Sequence, residues 1–301
     1  MNQSPKVSII TVNYNGTDVT AALLRSLQQL TYPSWEVVVV DNGSRVPCRS
    51  LAAEFPWIKY VEAGANLGFA GGNNLGQEAA DGDYILLLNN DTEVDPGFLE
   101  PLVARLQGDK SIGVVSPKLL YFDEPQTLQF AGFTPIHPVT GRGFCIGNLE
   151  KDNGQYDTAA PTSRAHGAAM MYPRRVLDQV GPMAELYFLY YEEMDYCEQI
   201  KRAGYSIWYE PASRVWHKES MSTGKNSPLK TYYYSRNRLL YLRRNTFGRH
   251  RLPMLGYYYG VAVPKNLLQH LAGREWSHLA AFWKGLVWNF RNGKTDRHDK
   301  N

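Results

Sequence analysis

Leu86-Leu87-Leu88-Asn89-Asn90-Asp91-Thr92 is the stretch on which the fold turns. The apolar run over 84–88 has the composition of a strand buried on both faces, as in a parallel sheet, and it stops on two carboxamides and a carboxylate. In open α/β sheets the crevice outside such strand ends is where ligands bind. A carboxylate among carboxamides there suits a hard divalent cation carrying a phosphorylated ligand. The same residues would also serve as a plain turn ahead of a helix over about 96–107, with Pro96 in its first turn.

Outward from this segment, strand and helix signals alternate. Residues 7–13 are β-rich, Leu23, Leu24, Leu27 and Leu30 fall at helical spacing within 17–30, and 36–40 is a β-branched run ending on Asp41. A helix over 49–55, a strand over 58–62, a helix over 70–80 and a strand over 112–116 continue the pattern, which implies βαβ units and a parallel sheet. Residues 119–163 are rich in Gly, Pro, Thr and aromatics without a helical period, and are predicted as hairpins and loops over one edge of the sheet. Next come a strand within 165–172, a helix opened by Pro173 and stopped by Gly181, a helix over 192–203 ended by Gly204, and short strands at 206–209 and 214–216. The chain is thus predicted as α/β, a mostly parallel central sheet flanked by helices. One domain spans 1–225, and a basic, amphipathic helical extension spans 226–301.

Composition narrows the function. With 44% hydrophobic and 20% charged residues in 301, wholesale disorder is excluded. Cys48, Cys145 and Cys197 are spaced neither as a zinc site nor as a disulfide framework, which predicts a reducing, cytoplasmic setting. Residues 1–6 lack a signal-peptide pattern, and the most apolar stretch, 254–272, is broken by Pro264, Lys265 and Gln269. From Lys225 onward fifteen Lys or Arg face three acids (Glu275, Asp296, Asp299), leaving seventeen of the 32 basic residues against twenty-six of the 29 acids before it. Such a tail fits an anionic membrane surface or a polyanionic ligand. Trp276, Leu279, Trp283, Leu286, Val287 and Phe290 share one helical stripe, as in an interfacial helix; packing on the catalytic domain or on a second subunit of a homo-oligomer would use the same stripe. Nucleic acid is not among the predicted partners.

Polar clusters stand where the strands end. Thr11, Asn13 and Asn15 close the first; Asp41, Asn42 and Ser44 close the second; Asn89, Asn90 and Asp91 close the fourth. Residues 66–76 (Asn-Leu-Gly-Phe-Ala-Gly-Gly-Asn-Asn-Leu-Gly) open the third helix, where glycines permit close backbone approach and free N–H groups could meet a diphosphate. Neither a G-x-G-x-x-G fingerprint nor a P-loop is present. Farther on, Glu192, Glu193 and Asp195 sit among tyrosines at a helix start. They would complement the helix dipole; partial desolvation and mutual repulsion would also raise their proton affinity toward that of a general base. His217, after Trp216 at a strand end, is either a structural histidine or a ligand.

Together, 7–15, 37–44, 66–76, 86–91, 191–196 and Trp216-His217 resemble the inverting glycosyltransferases of family 2, which have the nucleotide-diphospho-sugar-binding GT-A fold. The resemblance covers about 7–217 and leans toward bacterial rhamnosyltransferases and galactofuranosyltransferases that build cell-surface polysaccharide. The usual metal motif of such enzymes is Asp-x-Asp; here it is Asn89-Asn90-Asp91. The resemblance makes Asp91 a metal ligand, sets Asn89 toward the ribose or a water, and makes His217 a second ligand, as in the galactofuranosyl members. Mn²⁺ or Mg²⁺ would be completed by diphosphate oxygens and water. Thr11, Asn13 and Asp41 would hold base and ribose, with Asn15, Asn66, Gly71, Gly72 and Asn90 in the same nucleotide-sugar site. Glu193 falls at the family's base position, Glu192 on the acceptor side, and Asp195 braces the helix start. The implied activity moves a sugar from a nucleoside-diphosphate donor, dTDP-L-rhamnose first and UDP-galactofuranose second, to a hydroxyl of a glycan or lipid-linked acceptor at the inner membrane face. A nucleotidyltransferase would want a basic Gly-rich loop near the first strand, which Asn15-Gly16-Thr17 does not offer. A non-catalytic carbohydrate-binding protein of the same fold would have no need to keep Asp91, Glu193 and His217 together.

Overall fold

In the computed structural model, which describes residues 4–218 and 227–292, the apolar runs become strands and the leucine-spaced segments become helices. The chain runs β1 (Val7–Asn13), α1 (Thr17–Leu27), β2 (Trp35–Asp41), α2 (Ser50–Glu54), β3 (Ile58–Glu62), α3 (Gly68–Ala79), β4 (Tyr84–Leu88), β5 (Thr92–Val94), α4 (Leu99–Gly108) and β6 (Ile112–Tyr121). It continues through β7 (Leu128–Phe130), β8 (Ala160–Pro161), β9 (Ala169–Pro173), α5 (Arg174–Val180), α6 (Glu192–Arg202) and β10 (Ser206–His217). Helices α7 (Pro228–Asn245), α8 (Arg251–Tyr257), α9 (Val263–Ala272) and α10 (Trp276–Arg291) follow, with a π-helical turn, Tyr258–Ala262, between α8 and α9. Of the described residues, those up to 134 with 144–188 and 192–218 form one compact unit, and 135–143, 189–191 and 227–292 form a second. The predicted boundary at 225–226 and the tail beyond 292 lie outside the described residues.

All ten strands belong to the first unit and make one sheet, ordered β3-β2-β1-β4-β9-β6-β10-β5, with β7 on β6 and β8 on β10. Strands β1, β2, β3 and β4 pair in parallel, as do β6 and β10; β9 runs antiparallel between β4 and β6. The four valines of β2 show why the sheet needs helices on both faces: Val37 and Val39 enter one apolar cluster with Leu23, Leu27 and Leu102, while Val38 and Val40 enter the other with Ala70, Met170 and Ile200. Glycines of α3 bring that helix onto the sheet. A Cβ on Gly76 would collide with Ile10 Cγ2 and lie 3.1 Å from Val40 Cγ2, and one on Gly72 would lie 2.9 Å from Val12 Cγ1.

Several boundaries differ from expectation. Helix α4 starts at Leu99, not at Pro96, because 95–98 forms a turn in which the N–H of Phe98 donates to the carbonyl of Asp95. The strand expected over 112–116 runs on to Tyr121, since the Nζ of buried Lys118 reaches Asp152 and Asp157. The two short strands expected after α6 are one strand, β10, with an irregularity between Glu210 and Arg214. Strand β5 was not anticipated.

At the amino edge of the sheet, Glu36 Oε1 accepts from Ser8 Oγ at 2.5 Å and from the Asp81 N–H at 2.9 Å, while Lys6 and Lys59 pair with its other oxygen at 2.9 and 2.7 Å. Burial works against its ionisation, but the Asp81 N–H, Lys59, Ser8 and Lys6 outweigh it and hold the carboxyl down at about 2. An open depression of 860 Å³, lined in part by Lys6, Asp81 and Arg174, lies at this edge, away from the strand ends with the polar clusters.

In the second unit, Ser227 caps α7 by accepting from the Lys230 N–H, with Pro228 in the first turn. Gly285 lets α10 approach α7 closely, and Asn289 Nδ2 donates to the carbonyls of Arg236 and Gly285. Asn237, also on α7, donates to the carbonyls of Leu189 and Tyr190. On α10 the predicted stripe is split: Leu286 faces inward with Ala281 and Phe282, whereas Trp276, Trp283 and Phe290 are exposed. Among the described residues no helix is long and apolar enough to cross a membrane.

Candidate functional site

The carboxyl ends of β1, β2, β4 and β10 share one edge of the sheet, and the chain enters β9 from that edge. Asn13 and Asp41 are register partners there. Asn13 Nδ2 donates to Ser44 Oγ at 3.1 Å and to Asp41 Oδ2 at 3.4 Å; its Oδ1 accepts from the Gly16 N–H and from Thr20 Oγ1. Asp41 accepts the N–H groups of Ser44 and Cys48 at 2.9 and 2.8 Å. Burial opposes its charge, but these two donors outweigh it and hold its carboxyl below the ordinary range. Asn15, left-handed at φ 55°, donates its N–H to Ser44 Oγ and accepts from the Arg45 N–H. Asn90 joins this network by donating to Thr20 Oγ1 at 2.9 Å. Three of the predicted clusters are therefore one connected structure. Inside it, the fully buried Thr11 hydroxyl has no partner among the described residues, so a donor or acceptor is left for a ligand.

The 66–76 segment departs from expectation. The N–H groups of Leu67, Gly68 and Phe69 already go to Asn42 Oδ1, Asn66 Oδ1 and the Phe188 carbonyl. Three N–H groups expected for a diphosphate are thus spent on the protein. Gly71 and Gly72 are buried, Gly72 against Val12 and Asn42, so the need for glycine at Gly72 is helix-to-sheet packing.

Asp91 and His217, far apart in sequence, meet. Asp91 Oδ1 lies 3.1 Å from His217 Nε2, and both residues are buried. Backbone pairing sets this separation: Thr92 of β5 is the register partner of His217, and the Lys218 N–H donates to the Asp91 carbonyl at 2.9 Å. On the other side of the ring, His217 Nδ1 lies 2.9 Å from Oε1 of buried Gln129 in β7. With that oxygen accepting from Nδ1–H, the free lone pair is on Nε2, aimed at a carboxylate. In that tautomer a cation would bridge the two; with the proton on Nε2 instead, Asp91 accepts it directly. Neighbouring ligands of one octahedral ion at about 2.1 Å would be about 3.0 Å apart, so the 3.1 Å spacing accommodates a shared divalent ion as well as a direct hydrogen bond. Among the described residues there is no group of three or more His, Cys, Asp or Glu that could hold an ion, so the remaining positions would fall to ligand oxygens and water.

Glu193, in the first turn of α6, lies beside the loop through which the chain enters β9 from this edge. Its side chain covers Gly167, where a Cβ would sit 3.3 Å from Glu193 Cγ. The next residue, Ala168, accepts the Asn89 N–H at 2.9 Å, which ties this loop to the β4 end. Asn89 is partly exposed, and its carbonyl accepts from Thr92 Oγ1. Glu192 is buried. Asp195 is fully buried and accepts from Tyr187 Oη at 3.1 Å and Gln199 Nε2 at 2.8 Å, which holds the first turn of α6 together. Tyr190 and Tyr191, just before Glu192, have φ of 67° and 76°, a conformation uncommon for tyrosine.

Two residues here had no distinguishing sequence signal. Gln129 lies in the loop-rich stretch and shows only as the polar member of the alternation Leu128-Gln129-Phe130. His166 stands before the small run Gly167-Ala168-Ala169. Its ring is 6.1 Å from that of His217 and stacks on Phe133, over which Arg164 is placed at 3.7 Å. Removal from water, with the Arg164 guanidinium nearby, holds the His166 ring below the ordinary histidine range.

The family model described as "Glycosyl transferase family 2" matches residues 8–181, more than half of the chain. The chain is similar to the low-salt glycan biosynthesis hexosyltransferase Agl10 of Haloferax volcanii, 28% identical over 78% of this chain and 74% of the relative. It is also similar to an N-acetylglucosaminyl-diphospho-decaprenol L-rhamnosyltransferase of Mycobacterium tuberculosis, 24% identical over 82% and 87% of the two chains. Among solved structures, the mannosyltransferase PcManGT of Pyrobaculum calidifontis, in complex with GDP-Man and Mn²⁺, superposes with a TM-score of 0.60 over 96% of this chain and 88% of its own, at 16% identity. That likeness bears on the fold, a GT-A-like mixed sheet with flanking helices.

Proposed function

The chain belongs to glycosyl transferase family 2 and is a glycosyltransferase, and on that premise we propose that it transfers one sugar, with inversion, from a nucleoside-diphosphate donor to a hydroxyl of a glycan or lipid-linked acceptor. The observation that carries this reading is the 3.1 Å pairing of Asp91 with His217 on the edge where the Glu193 side chain covers Gly167. The first unit is the catalytic domain. Thr11, Asn13 and Asp41, with Asn15, Asn66, Asn89 and Asn90 around them, hold the nucleotide. Asp91 and His217 hold Mn²⁺ or Mg²⁺, which when bound stabilises charge on the diphosphate. Glu193 takes the proton from the acceptor hydroxyl as that oxygen attacks the anomeric carbon and the bond from that carbon to the diphosphate breaks. Glu192 faces the acceptor, and Asp195 fixes the turn that carries both. The donor is dTDP-L-rhamnose, a choice supported by the name of the mycobacterial relative, with UDP-galactofuranose the next to try.

The second unit seats the enzyme on an anionic membrane at the cytoplasmic face. Support for this lies in the basic excess after Lys225 beside exposed Leu268, Trp276, Trp283 and Phe290. A positioned base contributes about 10²–10⁴-fold to rate. Glu193→Gln is therefore expected to fold and bind donor normally while losing turnover by that factor. Near-full activity would move the base elsewhere.

A further inference from the structure

His166 is oriented with more care than a packing residue needs. The Ala168 N–H donates to its Nδ1 at 3.1 Å, and because a backbone N–H can only donate, the ring proton is on Nε2. Its own N–H donates to Ser116 Oγ at 3.1 Å, and the Ala169 N–H donates to its carbonyl, so the backbone is pinned on both sides. Phe133 stacks on the ring with planes 5° apart, and Phe130 lies at 5.3 Å. Among the described residues nothing accepts the Nε2–H, although the residue is only half-buried. The ring stands edge-on to His217 on one side, and its chain neighbour Gly167 lies under Glu193 on the other.

The His166 ring thus lies near both the Asp91–His217 pair and the glycine that Glu193 covers, the two groups between which a transferred sugar would sit. Resting on the glycosyl-transfer reading above, we propose that His166 is a specificity-determining residue whose Nε2–H donates to a hydroxyl oxygen of the transferred sugar. It leaves the nucleoside diphosphate to the other residues of the site.

The two amide replacements of histidine separate this role from a structural one. His166→Asn keeps an acceptor near Nδ1 for the Ala168 N–H and loses the outer donor; His166→Gln keeps a donor near Nε2 and loses the inner acceptor. Binding of dTDP and dTDP-L-rhamnose, and of UDP and UDP-galactofuranose, is measured by calorimetry with Mn²⁺ on the full chain, alongside thermal midpoints. His166→Asn is expected to bind the nucleoside diphosphates as the wild type does and the sugar nucleotide about fivefold to tenfold more weakly, the effect of one hydrogen bond. His166→Gln is expected to recover most of that difference. The reverse order, with Asn normal and Gln impaired, would make His166 a loop brace and overturn the proposal, as would equal losses for diphosphate and sugar nucleotide. Failure of the underlying reading shows separately: wild-type protein would then bind neither sugar nucleotide, which overturns both.

Discussion

Removing the Gln129 carbonyl oxygen tests the metal pair without touching either ligand. In Gln129→Leu a side chain of similar size replaces the group whose Oε1 lies 2.9 Å from His217 Nδ1. Two outcomes are open to the imidazole. It keeps its proton on Nδ1, which leaves a buried N–H unpaired at a cost of about 1–3 kcal/mol. Or the proton moves to Nε2, where Asp91 Oδ1 at 3.1 Å accepts it and the ligand pair closes on itself. In the second case the lone pair that would meet a cation is lost; in the first it stays on Nε2, but the ring has lost the partner that orients it. Loss of such an orienting partner lowers metal affinity about 10–100-fold, which is about 1.4–2.7 kcal/mol. The measurement is Mn²⁺ titration by electron paramagnetic resonance, with and without dTDP, alongside circular dichroism. Gln129→Glu keeps an acceptor oxygen and should retain wild-type affinity or exceed it. If Gln129→Leu bound Mn²⁺ as tightly as the wild type, or Gln129→Glu lost as much as Gln129→Leu, the orientation argument would be wrong.

Other expectations concern the frame and the second unit. The Glu36 carboxyl, held at about 2 in the folded chain against about 4.3 unfolded, contributes stability above the unfolded value that is lost as pH falls from about 4.3 toward 2. Urea midpoints at pH 7 and pH 3 should therefore fall further in the wild type than in Glu36→Gln, and parallel losses would contradict the assignment. Gly76→Ala should cost about 1–3 kcal/mol from overpacking against Ile10, partly offset by better helix propensity; a stabilised variant would mean that α3 shifts freely on the sheet. Replacing Trp276, Trp283 and Phe290 together by Ala should abolish co-sedimentation with vesicles containing phosphatidylglycerol while leaving the thermal midpoint within a few degrees. Retained sedimentation would refute the membrane role, and a change of mass in solution would assign the face to a second copy.

What could be read in advance follows from where each signal is stored. Strands β2 and β4 announce themselves because both faces are buried, so Val37–Val40 and Tyr84–Leu88 are continuous apolar runs. Gly181 and Gly204 end their helices through backbone angles, φ 83° and 94°, that other residues rarely adopt. Strand β5 escapes because three residues, one of them Glu93, owe their pairing wholly to β10. The extension of β6 past Pro117 escapes because a lysine inside a strand is tolerable only once Asp152 and Asp157 arrive from a loop. In the site, Asp91 and His217 stand out by residue type at a strand end, and Glu193 by the three acids at a helix start. Gln129 depends on a partner distant in sequence, and His166 on a local turn together with Ser116 and Phe133 from elsewhere, so nothing in their own surroundings marks them. The 66–76 segment misleads for the opposite reason: its glycines suggest an anion cradle, and the contacts show Gly72 and Gly76 used for close packing against β1 and β2.

The ladder between β5 and β10 has a bearing on biosynthesis. Asp91 leaves the ribosome early, whereas His217 emerges only after β10, the last strand of the sheet, has been made. A nascent chain halted before that strand has Asp91 without the histidine that pairs with it. If these two side chains share an ion as proposed, the pair that would hold it is assembled only when the final strand zips into place.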